Sequence, residues 1–213
     1  SSWCRAMEYF NFVHDWILCH YVELLGTILG LLYLYLEIKE QVWLWPVGLA
    51  TSALYVAVFY TSKFYADMAL NIYYVLISFY GWYQWLFGGI TEKHQNAPLC
   101  IQTTPSHLWP WLTTSFIFFF LLLWWILKDF TDSPVPIGDA FTTALSIVAT
   151  WMLTKKYIEQ WLLWVVVNAV SMGLYLWKGL YPTSVLFFFY TTLAVVGYYK
   201  WKLGMAGTGS VEK

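Results

Sequence analysis

Apolar residues along this chain fall into seven long runs, at about 20–37, 43–61, 66–87, 107–127, 137–154, 158–177 and 183–202. Each approaches the ~20 residues a helix needs to cross the hydrocarbon core of a bilayer, so the pattern predicts seven transmembrane helices. Short polar stretches join most of them: EIKEQ at 37–41, TSK at 61–63, TKKYIEQ at 154–160 and WKGLYP at 177–182. Two connections are longer, GGITEKHQNAPLCIQTTPSH (88–107) and KDFTDSPVPIGD (128–139). They carry the Pro, Gly, Ser and Asp of loops and isolate the fourth run on both sides. That run, LWPWLTTSFIFFFLLLWWILK, is apolar all round, as expected of a helix that mainly faces lipid. Ahead of the first run, Trp3, Met7, Phe10, Val13 (or His14) and Ile17 recur at helical spacing, with Arg5, Glu8 and Asp15 elsewhere. This predicts an amphipathic helix over 1–19 lying on the membrane surface; the stretch lacks the basic start and unbroken apolar core of a signal peptide.

The pattern also repeats. YGWYQWLFGG (80–89) and VGYYKWKLGM (196–205) share Gly81/Gly197, Tyr83/Tyr199, Trp85/Trp201 and Gly88/Gly204, each 116 positions apart (197 − 81 = 116). Tyr74 precedes Gly81 by seven residues, as Tyr190 precedes Gly197. EQVWLW (40–45) matches EQWLLW (159–164), which pairs Trp45 with Trp164. The unit is three helices written twice. Joined directly, the second copy would be inverted; one extra crossing, 107–127, restores its direction. The expected fold is therefore an all-α integral membrane protein with seven transmembrane helices as 3+1+3 parallel repeats. Its divisions are 1–19, repeat 1 at 20–88, loops and linker helix at 89–136, repeat 2 at 137–204 and a cytoplasmic tail at 205–213. Parallel repeats are a transporter architecture, with the substrate site near the bilayer midplane. Gly81, Trp82, Trp85, Gly197, Tyr198 and Trp201 read as helix-end motifs or gates, although Trp and Tyr also gather at headgroup level as anchors.

Composition agrees with the pattern. Of 213 residues, 60% are hydrophobic, 22% aromatic and 11% charged, less than half the ~25% charged residues of a soluble domain. A net charge of −1 and the lack of basic stripes exclude nucleic acid as a partner. The cysteines, Cys4, Cys19 and Cys100, have neither disulfide-framework nor zinc spacing. Counting Lys and Arg in alternate loops gives seven on one side (Lys39, Lys93, Lys155, Lys156, Lys200, Lys202, Lys213) and four on the other (Arg5, Lys63, Lys128, Lys178). The richer side is expected in the cytoplasm, which puts the N-terminus outside and the C-terminus inside.

Polar residues at membrane depth are costly and point to function. Asp67, Asn71, Tyr74 and Ser78 share one stripe of the third run; Trp164, Asn168 and Ser171 share one of the sixth. Small residues beside them (Gly48, Ser52, Gly173) would let helices approach closely. The bland role for the Asn and Ser side chains is to bond neighbouring helices. The sole arginine, Arg5, lies outside the spans, and no lysine lies in a span interior, so a phosphorylated ligand is disfavoured. Trp, Tyr, Asn and Ser suit a flat ring, held more firmly if cationic, on a polyhydroxylated group whose hydroxyls the amides bond. No catalytic set, buried histidine pair or nucleotide-binding glycine loop is visible, so neither an enzyme, a cofactor nor direct ATP coupling is expected. Asp67, Glu23 and Asp139 sit at span mouths as caps or gates. Another nucleoside, a thiamine-like vitamin or a small sugar would fit the same chemistry, and a membrane scaffold is the competing class.

The segments WPVGLATSALYVAVFYTSKFYADMALNIYYVLISFYGWYQW and WLLWVVVNAVSMGLYLWKGLYPTSVLFFFYTTLAVVGYYKW resemble the PnuC family of bacterial nicotinamide riboside transporters. The resemblance runs from about residue 20 to 204 and rests on Trp164-x3-Asn168, KGLY at 178–181 and the paired G-aromatic-x-x-W ends. It implies a seven-helix fold related to sugar-transporting SWEET proteins, and a homotrimer in the lipid of the inner membrane. It also implies facilitated diffusion of nicotinamide riboside, an NAD precursor in vitamin B3 uptake, trapped after entry by a cytoplasmic kinase. Carried over residue by residue, the family pattern points to Trp164 and Asn168 for substrate, with Asp67 and Asn71. The family pattern has Gln where this chain has Asn71, a shorter amide with a different reach.

Overall fold

A computed structural model of the chain describes residues 25–61, 65–88, 99–131 and 134–208. Among these residues it forms seven α-helices. These are α1 (Leu25–Ile38) and α2 (Leu44–Thr61), α3 (Tyr65–Phe87), α4 (Trp109–Phe130), α5 (Pro136–Thr154), α6 (Gln160–Trp177) and α7 (Tyr181–Thr208). One helix falls on each predicted run. α4 to α7 are each long and apolar enough to cross a membrane, and α1 and α2 hold shorter apolar stretches, Leu25–Ile38 and Leu44–Ala57. α7 continues beyond the run that ended at 202, because hydropathy marks where a helix leaves lipid and not where its hydrogen bonding stops. The predicted surface helix over 1–19 lies outside the described residues.

The chain divides into two compact units, up to Ile72 and from Tyr73 onward. In the first, α1 turns into α2 through Glu40, which adopts φ 54°. The Gln41 N–H donates to Leu36 O (2.9 Å) and the Trp45 N–H to Val42 O (3.1 Å), closing the turn. The Tyr55 side chain lies against Gly26 where no Cβ would fit.

In the second unit α4 packs on α5, α5 on α6 and α6 on α7. α5 is the inner helix: Ala140, Ala144, Ser146, Val148, Ala149, Thr150, Met152, Leu153 and Thr154 are all buried. Its small residues allow this approach, and each hydroxyl is satisfied within its own helix. Ser146 Oγ donates to Thr142 O (2.8 Å), Thr150 Oγ1 to Ser146 O (2.8 Å) and Thr154 Oγ1 to Trp151 O (2.6 Å). α4 buries only Leu112 among its residues, as its uniformly apolar sequence foretold. It holds to α5 through Phe116 edge-on to Phe141 (5.6 Å).

The α5–α6 turn gathers several chain segments. Its Lys156 adopts φ 52°, the Tyr157 N–H donates to Met152 O (3.1 Å) and the Trp161 N–H to Ile158 O (3.2 Å). Part of the long connection pairs with it as a single parallel bridge, Gln102 to Tyr157. The Gln102 N–H donates to Lys156 O (3.1 Å) and the Ile158 N–H to Gln102 O (3.0 Å). The Thr104 N–H and hydroxyl both donate to one Glu159 carboxylate oxygen, at 2.9 and 2.7 Å. At the opposite end of α5, Asp139 pairs with Lys178 of the α6–α7 turn (3.7 Å). Residues 102–104 and the 154–160 connection thus meet at one end of this unit and α5 begins at the other.

The offset of 116 extends into the backbone. α2 spans 44–61 and α6 160–177, and α3 and α7 begin at 65 and 181; 160 − 44, 177 − 61 and 181 − 65 all equal 116. The left-handed residues Glu40 and Lys156 obey it too, as do the Gln41→Leu36 and Tyr157→Met152 bonds. In this register Trp45 corresponds to Trp161, not to Trp164 as the EQ-anchored match had it. The EQ dipeptide is displaced by three residues because the turn, not the dipeptide, sets where the helix starts.

Candidate functional site

α6 begins one residue after the turn, so the turn fixes which of its faces points inward. Trp161, Trp164, Asn168 and Ser171 recur at three- and four-residue spacing and share that face. Trp161 is fully buried, while Asn168 and Ser171 are each 8% exposed. Trp164 is half-buried, yet its indole Nε1 is buried and finds no hydrogen-bond partner, as is also true of Trp161 Nε1. A buried donor without a partner costs about 1–3 kcal/mol, so α6 presents donors that its own fold leaves unused.

Depth within the unit follows from the turn. Ser146 lies eight residues before the end of α5 (154 − 146) and Asn168 eight after the start of α6 (168 − 160). Both are therefore ~12 Å along their helices from that end. α3 docks on α5 at the same level: the Tyr73 hydroxyl donates to Ile147 O (2.9 Å), and the neighbouring Tyr74 hydroxyl interacts with that of Ser146. Tyr74 and Asn168, both sequence-predicted, thus share a level in the second unit. Ser78 does not reach a neighbouring helix; its hydroxyl donates to Tyr74 O (2.6 Å) in its own helix.

The helix-end motifs form the packing around the turn. Trp85 is 2% exposed and its Nε1 donates to Leu153 O (3.1 Å), with Lys156 Nζ 4.4 Å from its ring centroid. Trp201 is 1% exposed and stands edge-on to Trp161, with centroids 5.5 Å apart. Gly197 is required here: a Cβ would come within 2.6 Å of the Trp161 ring. Gly81 is buried likewise, and Trp82 and Tyr198 are half-buried. Gly173, expected to permit a close helix approach, faces open space, because it lies off the packed face of α6.

Asn71 is half-buried and Trp45 is 1% exposed; both belong to the first unit. The Asp67 side chain lies outside the described residues, as does Glu23. Asp139 holds the ion pair with Lys178. Sequence reasoning missed Tyr73, Trp161 and the hydroxyl row Thr142, Ser146, Thr150 and Thr154. The row was visible as a four-residue repeat, but nothing in the sequence showed that α5 is the inner helix. Trp161 was hidden by the three-residue slip in the repeat match.

Residues 20–203 match the family model described as nicotinamide mononucleotide transporter. The nicotinamide riboside transporter PnuC of Escherichia coli (strain K12) is 30% identical over 206 residues, covering 85% of this chain and 84% of its own length. The riboflavin/roseoflavin transporter RibM of Streptomyces davaonensis is 24% identical, with 85% and 84% covered. A crystal structure of the vitamin B3 transporter PnuC matches with a TM-score of 0.67 at 24% identity, over 90% of this chain and 85% of that one. Seven helices with that fold, matched to the family over nearly their whole extent, make the chain a member of the nicotinamide mononucleotide transporter family, a family of membrane transporters and not of enzymes.

Proposed function

We propose that this protein carries nicotinamide riboside, unphosphorylated, across the bacterial inner membrane by facilitated diffusion. Two like-oriented three-helix repeats, joined by α4, would rock to expose the site on alternate sides. The lysine count puts the C-terminus and the α5–α6 turn in the cytoplasm, where a kinase traps the product. Trp164 and Asn168 make the central contacts, Tyr74 contributes at their level, and Trp45, Asn71 and Asp67 are the first unit's candidates. A homotrimer in the lipid is the assembly the family resemblance implies.

The observation that carries this reading is the inward face of α6, where Asn168 is buried and the half-buried Trp164 holds a buried, unused indole donor. The family description names a mononucleotide and the Escherichia coli relative a riboside, and the difference is a phosphate dianion. Such a group needs Arg or Lys at the site. The described lysines lie in turns (Lys39, Lys155, Lys156, Lys178) or toward the C-terminal ends of α4 and α7 (Lys128, Lys200, Lys202). The riboside is the better fit: its cationic ring suits indole faces and its hydroxyls suit amides.

Purified protein in detergent, titrated calorimetrically, should bind nicotinamide riboside well ahead of the mononucleotide. Trp164→Ala and Asn168→Ala should each weaken binding at least about tenfold, on the scale of a lost hydrogen bond that leaves its partner unsatisfied, with unchanged melting behaviour. Wild-type affinity in both variants removes these residues from the site. The RibM relative supports a second reading, a flavin carried on its ribityl chain; competition by riboflavin but not by nicotinamide riboside would select it.

A further inference from the structure

We infer that Trp161 extends the ligand-contacting face of α6 by one turn, its indole N–H donating a hydrogen bond to an acceptor oxygen of the transported solute, a carbonyl or hydroxyl. The inference rests on the reading that Trp164 and Asn168 contact that solute. Three observations carry it. Trp161 lies three residues before Trp164 and seven before Asn168, within one ~60° arc of the helix at 100° per residue. It is fully buried, so its N–H has no route to bulk solvent. That N–H has no partner, whereas the indole of Trp85, beside the same turn, donates to Leu153 O at 3.1 Å. Beside one turn, the fold satisfies the Trp85 indole and leaves that of Trp161 unpaired.

The Trp161 ring does build structure. It is pressed on Gly197, where a Cβ would approach to 2.6 Å, and edge-on to Trp201 at 5.5 Å. That packing fixes the direction of the N–H and makes it a preorganised donor, with no rotamer entropy left to lose on binding. With Trp164 Nε1 and the Asn168 amide it forms a row of polar groups leading from the mid-level of α6 toward the α5–α6 turn. A solute leaving the central contacts in that direction meets a donor at each turn of the helix.

Trp161→Phe keeps an aromatic ring and deletes the donor. In the whole chain, the expected result is nicotinamide riboside binding about 3- to 10-fold weaker by calorimetry, the scale of one net hydrogen bond, while the unliganded protein still melts cooperatively, at a temperature lowered only by the cavity the smaller ring leaves. In the 15N-indole spectrum, the cross-peak missing from Trp161→Phe should move downfield when nicotinamide riboside is added to the wild type, a change that a purely structural indole would not show. Affinity within twofold of wild type, or a cross-peak that stays in place, overturns the inference while leaving the roles of Trp164 and Asn168 intact. A wild-type protein that binds no nicotinamide riboside overturns the functional reading and this inference with it. If Trp161→Phe fails to fold, the wild-type cross-peak, assigned instead through its proximity to the Trp201 ring in nuclear Overhauser spectra, decides alone.

Discussion

Gly197 and Trp161 show how little room one position can have. The glycine is not there for backbone freedom, since it sits inside a right-handed helix; it is there because the indole occupies the space of its missing Cβ. Gly197→Ala forces a methyl group into a filled core and should cost about 1–3 kcal/mol, read as a lowered melting temperature in detergent. Gly173→Ala, where a Cβ meets nothing within 4 Å, should instead leave stability unchanged or raise it by about 0.5–1 kcal/mol through helix propensity. Equal melting of the two variants would refute the packing argument. Lys156 is the other constrained residue: it takes a left-handed φ of 52°, unusual without glycine, and holds its ammonium 4.4 Å from the Trp85 ring centroid. The aromatic face offsets what burial of that charge costs.

Between elements, the 99–104 segment ties down the α5–α6 turn. It contributes a parallel bridge at Gln102 and two hydrogen bonds from Thr104 to one oxygen of Glu159. A carboxylate that accepts two donors is held more tightly than a neutral acceptor, so this contact should decide whether the strap stays closed. Glu159→Ala should speed amide exchange at Gln102 and Ile158, whose N–H groups carry the bridge, by roughly tenfold or more on the ~1.5–3 kcal/mol scale of a hydrogen bond to a charged group. Unchanged protection at both amides would mean that the bridge stands without Glu159. α5 makes a complementary point. Its row of hydroxyls is satisfied by its own carbonyls, which lets a helix with polar residues become the inner helix without unpaired groups.

For the whole molecule, the two ends of the second unit carry a topological consequence. The 99–104 segment and the α5–α6 turn share one end of the second unit, while Asp139 and Lys178 mark the other. Cys100, which is exposed, should therefore react with a membrane-impermeant thiol reagent from the same side as a cysteine placed at Lys155. A cysteine at Asp139 or Lys178 should react from the opposite side. Under the orientation proposed from the lysine count, the first pair is expected to be shielded in cells and the second labelled. Labelling of positions 100 and 139 from one side would remove α4 as a crossing and, with it, the proposed parallel relation of the repeats.

Much of this was legible in the sequence, and the reason is physical. In a bilayer every backbone amide must be satisfied within its own segment, so apolar runs and polar breaks alone mark the helices, and seven runs gave seven helices. The constant offset of 116 was legible for the same reason, because equal lengths between forced breaks preserve register. Which helix lies innermost was not legible. The uniformly apolar sequence of α4 foretold that it would bury little beyond Leu112, but only packing shows that α5 buries nine residues. The pairing of Trp45 with Trp161 was hidden for a related reason: identical letters slid by three positions, and only the hydrogen bonds of the two turns fix where each helix starts. Sequence determined the helices and their number, because the solvent dictates those locally. The tertiary structure decided which indole is satisfied and which keeps a free donor, because that depends on what another helix brings alongside.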